Sequence, residues 1–508
     1  MNIKTGNKQT YKNLALNIFA FFIQFVTSFY LSPIIVSSVG TSANGFIGLA
    51  NDLVSYATII ASVFNAAAAR FITNAMVKGD KEKANGYFNS LISTNIILAG
   101  IFGLIGMILV PNINAIFNVP ANLLIDVKLT FAIIFLSYII TLITQVFTVS
   151  TYVVNRSDIQ GVRNIISYIV RFALIIILLN FISIKIYWVS FASLMATIVV
   201  AILNISLTKK LTPELVIDIH KSDKKYIKEL ASAGVWMGLT SISTLLLRGL
   251  DLAIANVVLG DYEMGLLSIA RTFPNNITSI ITTIAPIYAP VFIAFYAKDN
   301  FKELIVKIKE SIRTSAIIMF VPITGFIVYS SDFYSLWQKS LSEKEVAIVS
   351  ALSIITVIQA YFNTSTATLA QLSVVTNKLW RAGVASLTCG VLSILIEFVL
   401  LYTTNLGVYA IVVSTTIVMV LRYILFNPIY ASFCLEQKRT LFYGDVIKTW
   451  CIIPVLYFVM VFVKHVLPVS SWITLLVSAS VSAVIGYVIS VLLLDPRILD
   501  KFTKKQEK

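Results

Sequence analysis

The chain has 508 residues, 58% hydrophobic and only 12% charged, with a net charge of +15. A soluble protein carries about 25% charged residues, so this composition excludes an ordinary cytoplasmic enzyme. The 39 basic residues are spread over loops between apolar stretches rather than gathered in a patch, which excludes nucleic acid as a partner.

Apolar runs of twenty or more residues recur from end to end and mark a polytopic membrane protein. In lipid the backbone must satisfy itself, so the spans are helices; the short alternating segments of a transmembrane barrel are absent. Cys389, Cys434 and Cys451 have no metal or redox spacing, and His220 and His465 lie in no cluster. With no Gly-x-x-x-x-Gly-Lys-Ser/Thr loop, the chain has no ATPase of its own.

Lysines precede the first apolar run, as in a signal peptide. That run is too long, at about 27 residues, and has no convincing cleavage site, so it reads as the first span. Fourteen spans are expected near 12–38, 45–72, 87–110, 123–151, 158–181, 184–207, 231–257, 264–295, 312–331, 347–375, 382–402, 406–431, 447–467 and 471–494. Lysine and arginine crowd the N-terminal tail, the even-numbered connections and the C-terminal tail. Only Lys128, Lys185, Lys339, Lys344 and Lys464 fall on the other side, so both termini are expected in the cytoplasm. The longest outer connection, "SDFYSLWQKSLSEKE" from Ser331, leaves no room for a catalytic domain.

The sequence repeats itself. At an offset of 220, "VGTSANGFIGLA" from Val39 falls on "LGDYEMGLLSIA" from Leu259. Gly40 then meets Gly260, Gly45 meets Gly265, Ala50 meets Ala270 and Lys78 meets Lys298. At an offset of 222, "NRSDIQGV" from Asn155 meets "NKLWRAGV" from Asn377. Spans 1–6 therefore resemble spans 7–12, and an even number of spans per copy makes the repeat parallel. Parallel repeats are a transporter design with the substrate site between the halves. The expected architecture is an all-α polytopic membrane protein with two parallel six-helix repeats, which form two lobes around a central cavity, plus two extra C-terminal helices. In residues this is an N-lobe over 1–207, a linker over 208–230 and a C-lobe over 231–431. A connection over 432–446, the last two spans over 447–494 and a basic tail over 495–508 follow.

Polar residues step along the wall helices of this cavity. Asn51, Ser55, Thr58, Ser62 and Asn65 are spaced by four, three, four and three, forming one stripe on the second span. Arg271, Asn275, Thr278 and Thr282 take the matching places on the eighth. Gln24 and Ser28 on the first span match Thr244 and Arg248 on the seventh, where Ser241, Thr244, Arg248 and Asp251 form another stripe. Small polar residues also serve as glue between membrane helices. A charge at bilayer depth is expensive by any measure, and it marks a functional site by default. Arg171 and Arg422 have a structural alternative, satisfaction by a neighbouring helix or snorkelling. Asp52 and Glu397 have another, reaching water from the outer part of their spans. Pro274, Pro286 and Pro290 predict kinks in the eighth span. "KDNFKELIVKIKESIR", residues 298–313, places Phe301, Leu304, Ile305, Ile308 and Ile312 on one face with lysines opposite, which suggests an amphipathic helix at the cytoplasmic membrane surface, with a plain surface connector as the alternative.

Twelve repeated spans plus two, with patterns such as "VVTNKLWRAGVASLTCGVLSILIEFVLLYTTNLGVYAIVVSTTI" over 374–417, resemble the multidrug/oligosaccharidyl-lipid/polysaccharide exporter superfamily. Within it the chain is similar to the bacterial polysaccharide-biosynthesis branch, the Wzx-type lipid-linked oligosaccharide flippases. That resemblance implies a non-enzymatic transporter of the bacterial cytoplasmic membrane. It would carry undecaprenyl-pyrophosphate-linked glycan to the outer leaflet, among membrane lipids and alongside glycosyltransferases and a polysaccharide polymerase. Lipid II flippases in the superfamily use arginines in a cavity lined by the first, second, seventh and eighth helices, and Arg248 and Arg271 fall on that lining. The first span and the membrane part of the second hold no basic residue before Arg70, which departs from the lipid II pattern. Some relatives hold sodium in the C-terminal lobe. Here Asp251, and Glu397 with Ser393 and Thr415 or Thr416, are the candidates for sodium or proton coupling, with no certain metal site. A cation-coupled multidrug exporter is the alternative, kept open by Asp251. A membrane glycosyltransferase or polymerase is the second, opposed by the short outer loops.

Overall fold

The computed structural model describes residues 7–154 and 156–494. Fourteen helices of at least fourteen residues follow one another, and no strand occurs among the described residues. They are α1 Asn7–Val39, α2 Thr41–Val77, α3 Lys81–Leu109, α4 Leu124–Gln145, α5 Ser157–Phe181, α6 Ile186–Leu211 and α7 Lys224–Arg248. Then come α8 Asp261–Ile284, α9 Phe301–Trp337, α10 Glu343–Ala370, α11 Trp380–Thr403, α12 Val408–Leu421, α13 Ile452–Val466 and α14 Trp472–Leu494.

Among the described residues, eleven helical segments are long and apolar enough to cross a membrane. In order they match the third to sixth and the eighth to fourteenth expected spans. The first, second and seventh expected spans fall on α1, α2 and α7. The stretch over 298–313 is no separate surface helix. It enters α9, which runs without a break from Phe301 to Trp337. Its apolar residues Leu304, Ile308 and Ile312 are buried in a core cluster. Asp445 holds the opposite side through Lys309 at 3.0 Å and Arg313 at 2.6 Å.

The repeat is written in the backbone. Gly40 and Gly260 cap α2 and α8 with φ of 106° and 117°, and each donates its N–H five residues back, to Ile35 and Ala255. Positive φ of this kind is open to glycine at no steric cost. Gly79 and Asp299, again 220 apart, both have positive φ. Around them Asp80 N donates to Ala75 O, as Asn300 N does to Phe295 O. Asp80 and Asn300 then cap α3 and α9 by accepting from Lys83 N and Glu303 N. At an offset of 222, Arg156 N donates to Thr151 O and Lys378 N to Ser373 O.

The chain divides into two compact units, Met1–Ser268 and Ile269–Lys508. In the first, α2 runs beside the start of α8. A Cβ on Gly265 would stand 2.5 Å from Thr41 O, and one on Gly45 would stand 3.0 Å from Gly265 Cα, so only glycine permits this approach. The segment between α6 and α7 is strapped to the first turns of α3. Asn85 donates to Glu214 O and accepts from Val216 N; Asn89 donates to Val216 O and accepts from Asp218 N, all within 2.9 Å. Two amides one helical turn apart thus mimic the edge of a sheet and bind an extended strap. Gly86 leaves space for Tyr226, whose ring would stand 2.3 Å from a Cβ there.

In the second unit α13 and α14 dock on α9. The Tyr329 hydroxyl lies 2.8 Å from both Ser478 and Ser482 Oγ. Lys464 pairs with Asp332 at 2.5 Å and donates to Val328 O.

Candidate functional site

The seventh span is not one helix. α7 ends at Arg248, residues 249–250 are non-helical, a short helix covers Asp251–Ile254, and a π-helical turn covers Ala255–Leu259. The chain breaks where Gly249 offers no side chain. Tyr56 of α2 packs into that gap, 2.7 Å from where a Cβ would be. Asp251 opens the short helix and is buried, 7% exposed. The π turn leaves irregular backbone, and a loop residue meets it. Asn118 N donates to Asn256 Oδ1 at 2.8 Å and Asn118 Nδ2 to Asn256 O at 2.7 Å, while Asn256 Nδ2 returns a bond to Asn118 O at 3.2 Å. Discontinuous membrane helices mark transporter binding sites, and π turns recur at functional sites.

Along α2, Asn51 and Ser55 are exposed, and Ser55 Oγ donates to Asn51 O. Ser28 of α1 is half-buried. The side chains of Gln24, Thr58, Ser62, Ser241, Thr244 and Arg248 lie outside the described residues.

Arg271 belongs to the second unit and is buried, 9% exposed. Its setting follows from Pro274. Proline has no N–H, so the carbonyl four residues earlier, that of Ala270, loses its helical partner. Ser353 Oγ donates to Ala270 O at 2.8 Å, and Tyr334 Oη lies 3.4 Å from it and 2.7 Å from Ser353 Oγ. α9 and α10 thereby fasten α8 at the residue next to Arg271. The helix continues through Pro274 to Ile284; Pro286 and Pro290 coincide with a 3-10 turn over Ala285–Tyr288 and a fresh helix from Ala289. Asn275 and Thr282 are exposed on the same helix.

Glu397 does not reach water as the structural alternative held. It is 1% exposed within α11, with buried Ser393 one turn before it. Ser393 Oγ lies 3.1 Å from Thr415 Oγ1, whereas Thr416 turns to α10 and donates to Ile355 O. Arg422, at the start of a second π turn over Arg422–Phe426, donates to Ser386 Oγ of the neighbouring α11 at 2.6 Å, while its buried Nε has no partner among the described residues. The break at Gly249, the Asn118–Asn256 pair and the Ser353–Tyr334 support were not foreseen. Their signals were a glycine between two charges, "RGLD", and a proline four residues after Ala270.

Residues 8–296, more than half of the chain, match the model of the family described as polysaccharide biosynthesis protein. The chain belongs to that family. A curated relative, the uncharacterized membrane protein EpsK of Bacillus subtilis (strain 168), is 24% identical over 468 residues, 91% of this chain and 90% of EpsK. Among solved structures, the lipid II flippase MurJ in an inward closed conformation superposes with a TM-score of 0.68 at 14% identity, covering 95% of this chain and all of MurJ. An inward-facing multidrug resistance MATE family transporter of the MOP superfamily superposes with 0.61 at 13% identity, covering 84% of this chain and 99% of that one. The fold is therefore the one these two solved structures share, with eleven helical segments among the described residues long and apolar enough to cross a membrane.

Proposed function

We propose that the protein is a flippase. It moves an undecaprenyl-pyrophosphate-linked oligosaccharide from the cytoplasmic to the outer leaflet of the bacterial cytoplasmic membrane by alternating access, for export of a cell-surface polysaccharide. Its termini lie in the cytoplasm, and glycosyltransferases and a polymerase act before and after it. The observation that carries this reading is the break of the seventh span between Arg248 and Asp251 in a chain of the polysaccharide-biosynthesis family.

The physics is that of moving a charged head through oil. Burying charge and unpaired hydroxyls is prohibitive. Asn51, Ser55, Thr58, Ser62, Gln24, Ser28, Thr244 and Asn275 replace the water of the sugars. Arg248 and Arg271 replace the counterions of the pyrophosphate, because a guanidinium fork suits phosphate oxygens. Asp251, across the break from Arg248, keeps that arginine oriented and partly neutralised between loads. Outward movement of an anion runs with an inside-negative potential, which contributes about 2.3 kcal/mol per charge per 100 mV. The carboxyl of Glu397, with the hydroxyl of Ser393 one turn before it and that of Thr415 beside Ser393, supplies coupling to sodium or protons.

Surface polysaccharide, measured in cells with membrane abundance as control, tests the reading. Arg248→Ala and Arg271→Ala abolish it, and the corresponding lysine variants are partly defective because the charge remains and the fork is lost. Full export by both alanine variants overturns the headgroup assignment. In vesicles, Glu397→Gln loses its response to sodium or pH gradients; an unchanged response removes Glu397 from coupling.

A further inference from the structure

The connection from α10 to α11 repeats the backbone of its counterpart in the first copy but not its chemistry. Lys378 N donates to Ser373 O as Arg156 N does to Thr151 O, yet Trp380 and Arg381 stand where the first copy has Asp158 and Ile159. The second copy builds a cluster here against the helix Asn427–Cys434, which ends the membrane segment Val408–Cys434. The Tyr430 hydroxyl donates to Lys378 O, and Lys378 Nζ donates to Cys434 O and to the Glu436 carboxylate, both at 3.2 Å. The Tyr430 and Phe433 rings stack at 5.8 Å. Phe433 then meets two cations, the Arg381 guanidinium at 4.5 Å and Lys378 Nζ at 5.4 Å, and Arg381 also lies 5.6 Å from the Trp380 ring.

Two properties of the cluster select a ligand. The first is charge. Glu436 offsets Lys378, whereas Arg381 is exposed and has no hydrogen bond or ion pair among the described residues. A guanidinium over a ring face is held through its π surface, which leaves its in-plane N–H donors for the paired oxygens of a phosphate. One uncompensated cation matches one negative charge. The second property is apolar surface. Trp380 is 53% exposed and Phe433 42%, and Val374 and Leu379, near Trp380 in the chain, are exposed as well. Trp380 opens α11, a segment long and apolar enough to cross a membrane. Tryptophan at such an end sits between headgroups and hydrocarbon. A free phosphate would use the guanidinium and none of the apolar surface, and a lipid without net charge would do the reverse. An amphiphile with one anionic phosphodiester uses both.

We propose that this cluster binds an anionic glycerophospholipid of the adjoining leaflet. Arg381 takes the phosphodiester, and Trp380 and Phe433 take the first part of the chains. The site uses neither Arg248 nor Arg271, and it does not depend on the flippase reading. A bound headgroup ties the first turn of α11 to the last turn of the helix Asn427–Cys434.

The test titrates the purified full-length protein, in neutral detergent, with dioleoyl phosphatidylglycerol, and counts bound lipid by native mass spectrometry. Dioleoyl phosphatidylcholine, which has the same chains and no net charge, is the comparison. The wild type binds phosphatidylglycerol more tightly than phosphatidylcholine. Arg381→Gln weakens phosphatidylglycerol about tenfold, and Arg381→Lys about threefold because the charge remains and the fork is lost. Trp380→Ser weakens it as well; both side chains are exposed, so neither change disturbs the core. Lys302→Gln, which removes an exposed lysine at the start of α9, binds as the wild type does, and so does the Arg248→Ala/Arg271→Ala double variant. Glycerol phosphate in large excess leaves the lipid bound. The proposal is overturned by equal binding of the two lipids, or by wild-type affinity in Arg381→Gln or in Trp380→Ser. Equal weakening by Lys302→Gln overturns it too, since general surface charge would then suffice. Displacement by glycerol phosphate overturns the lipid assignment in favour of a free phosphate. Loss of binding in the arginine double variant overturns it by moving the lipid to the proposed headgroup site.

Discussion

The entry to α2 and the entry to α8 share one backbone and carry different chemistry. Gly40 and Gly260 hold the same left-handed turn and the same hydrogen bond. Beyond them α2 continues with Asn51 and Ser55, whereas α8 carries Arg271 and Pro274. In the first copy the helix satisfies its own carbonyls; in the second, proline releases one and two hydroxyls from α9 and α10 take it up. The comparison teaches that duplication preserved what the backbone requires, a glycine at positive φ and a cap, and left side chains free to diverge. At the place of Asn51 the externally fastened copy carries an arginine, Arg271.

The comparison breaks most sharply at Gly265. Gly265→Ala drives a Cβ into the backbone of Thr41; overpacking of this kind costs about 1–3 kcal/mol or more. It should sharply reduce the monodisperse peak in fluorescence size-exclusion chromatography. Gly40→Ala meets no atom within 4 Å and carries only the strain of its φ, about 1–3 kcal/mol, so it should lose less of the peak than Gly265→Ala, which adds a backbone clash. Equal losses would mean that close approach does not matter at Gly265.

Next in size is the fastening of α8. Ser353→Ala leaves the Ala270 carbonyl short of a donor and should cost about 1–3 kcal/mol, seen as a lower melting temperature and less glycan export. Pro274→Ala restores the missing N–H, so the double variant should regain most of the loss. The matching change in the first copy, where no proline intervenes, has nothing to rescue. A double variant no better than Ser353→Ala would assign the serine another role.

The smallest effect sharpens the equivalence itself. Asp80→Ala and Asn300→Ala each remove a helix cap at matching positions, and each should cost about 1 kcal/mol. Melting temperatures that fall by clearly unequal amounts would show that the two caps are equivalent in geometry only.

Much of this was legible in the chain. Twenty-residue apolar runs have one stable form in lipid, and the pairing of Gly40 with Gly260 and Lys78 with Lys298 carried the repeat into three dimensions. The site was legible as residue types on helix faces. What stayed hidden depends on partners far along the chain. Gly249 lies in an apolar run that reads as continuous helix, and the ring that fills its gap belongs to Tyr56. Asn85 and Asn89 look like ordinary polar residues at the start of a span until residues 214–218 arrive against them. Glu397 reads as an outer-leaflet carboxyl because periodicity gives its face and not its depth of burial.

That strap has a consequence for biosynthesis. Asn85, Asn89 and the segment they hold all precede residue 268, as do both halves of the Asn118–Asn256 pair. A ribosome that has released residue 268 has supplied every group needed to finish the first unit, with at least 240 residues still to come. At about 5–20 residues per second, that interval lasts roughly 10–50 s. For that time the newly inserted half must hold its shape on its own, and side-chain amides that lock a connecting segment to an already inserted helix give it the means to wait.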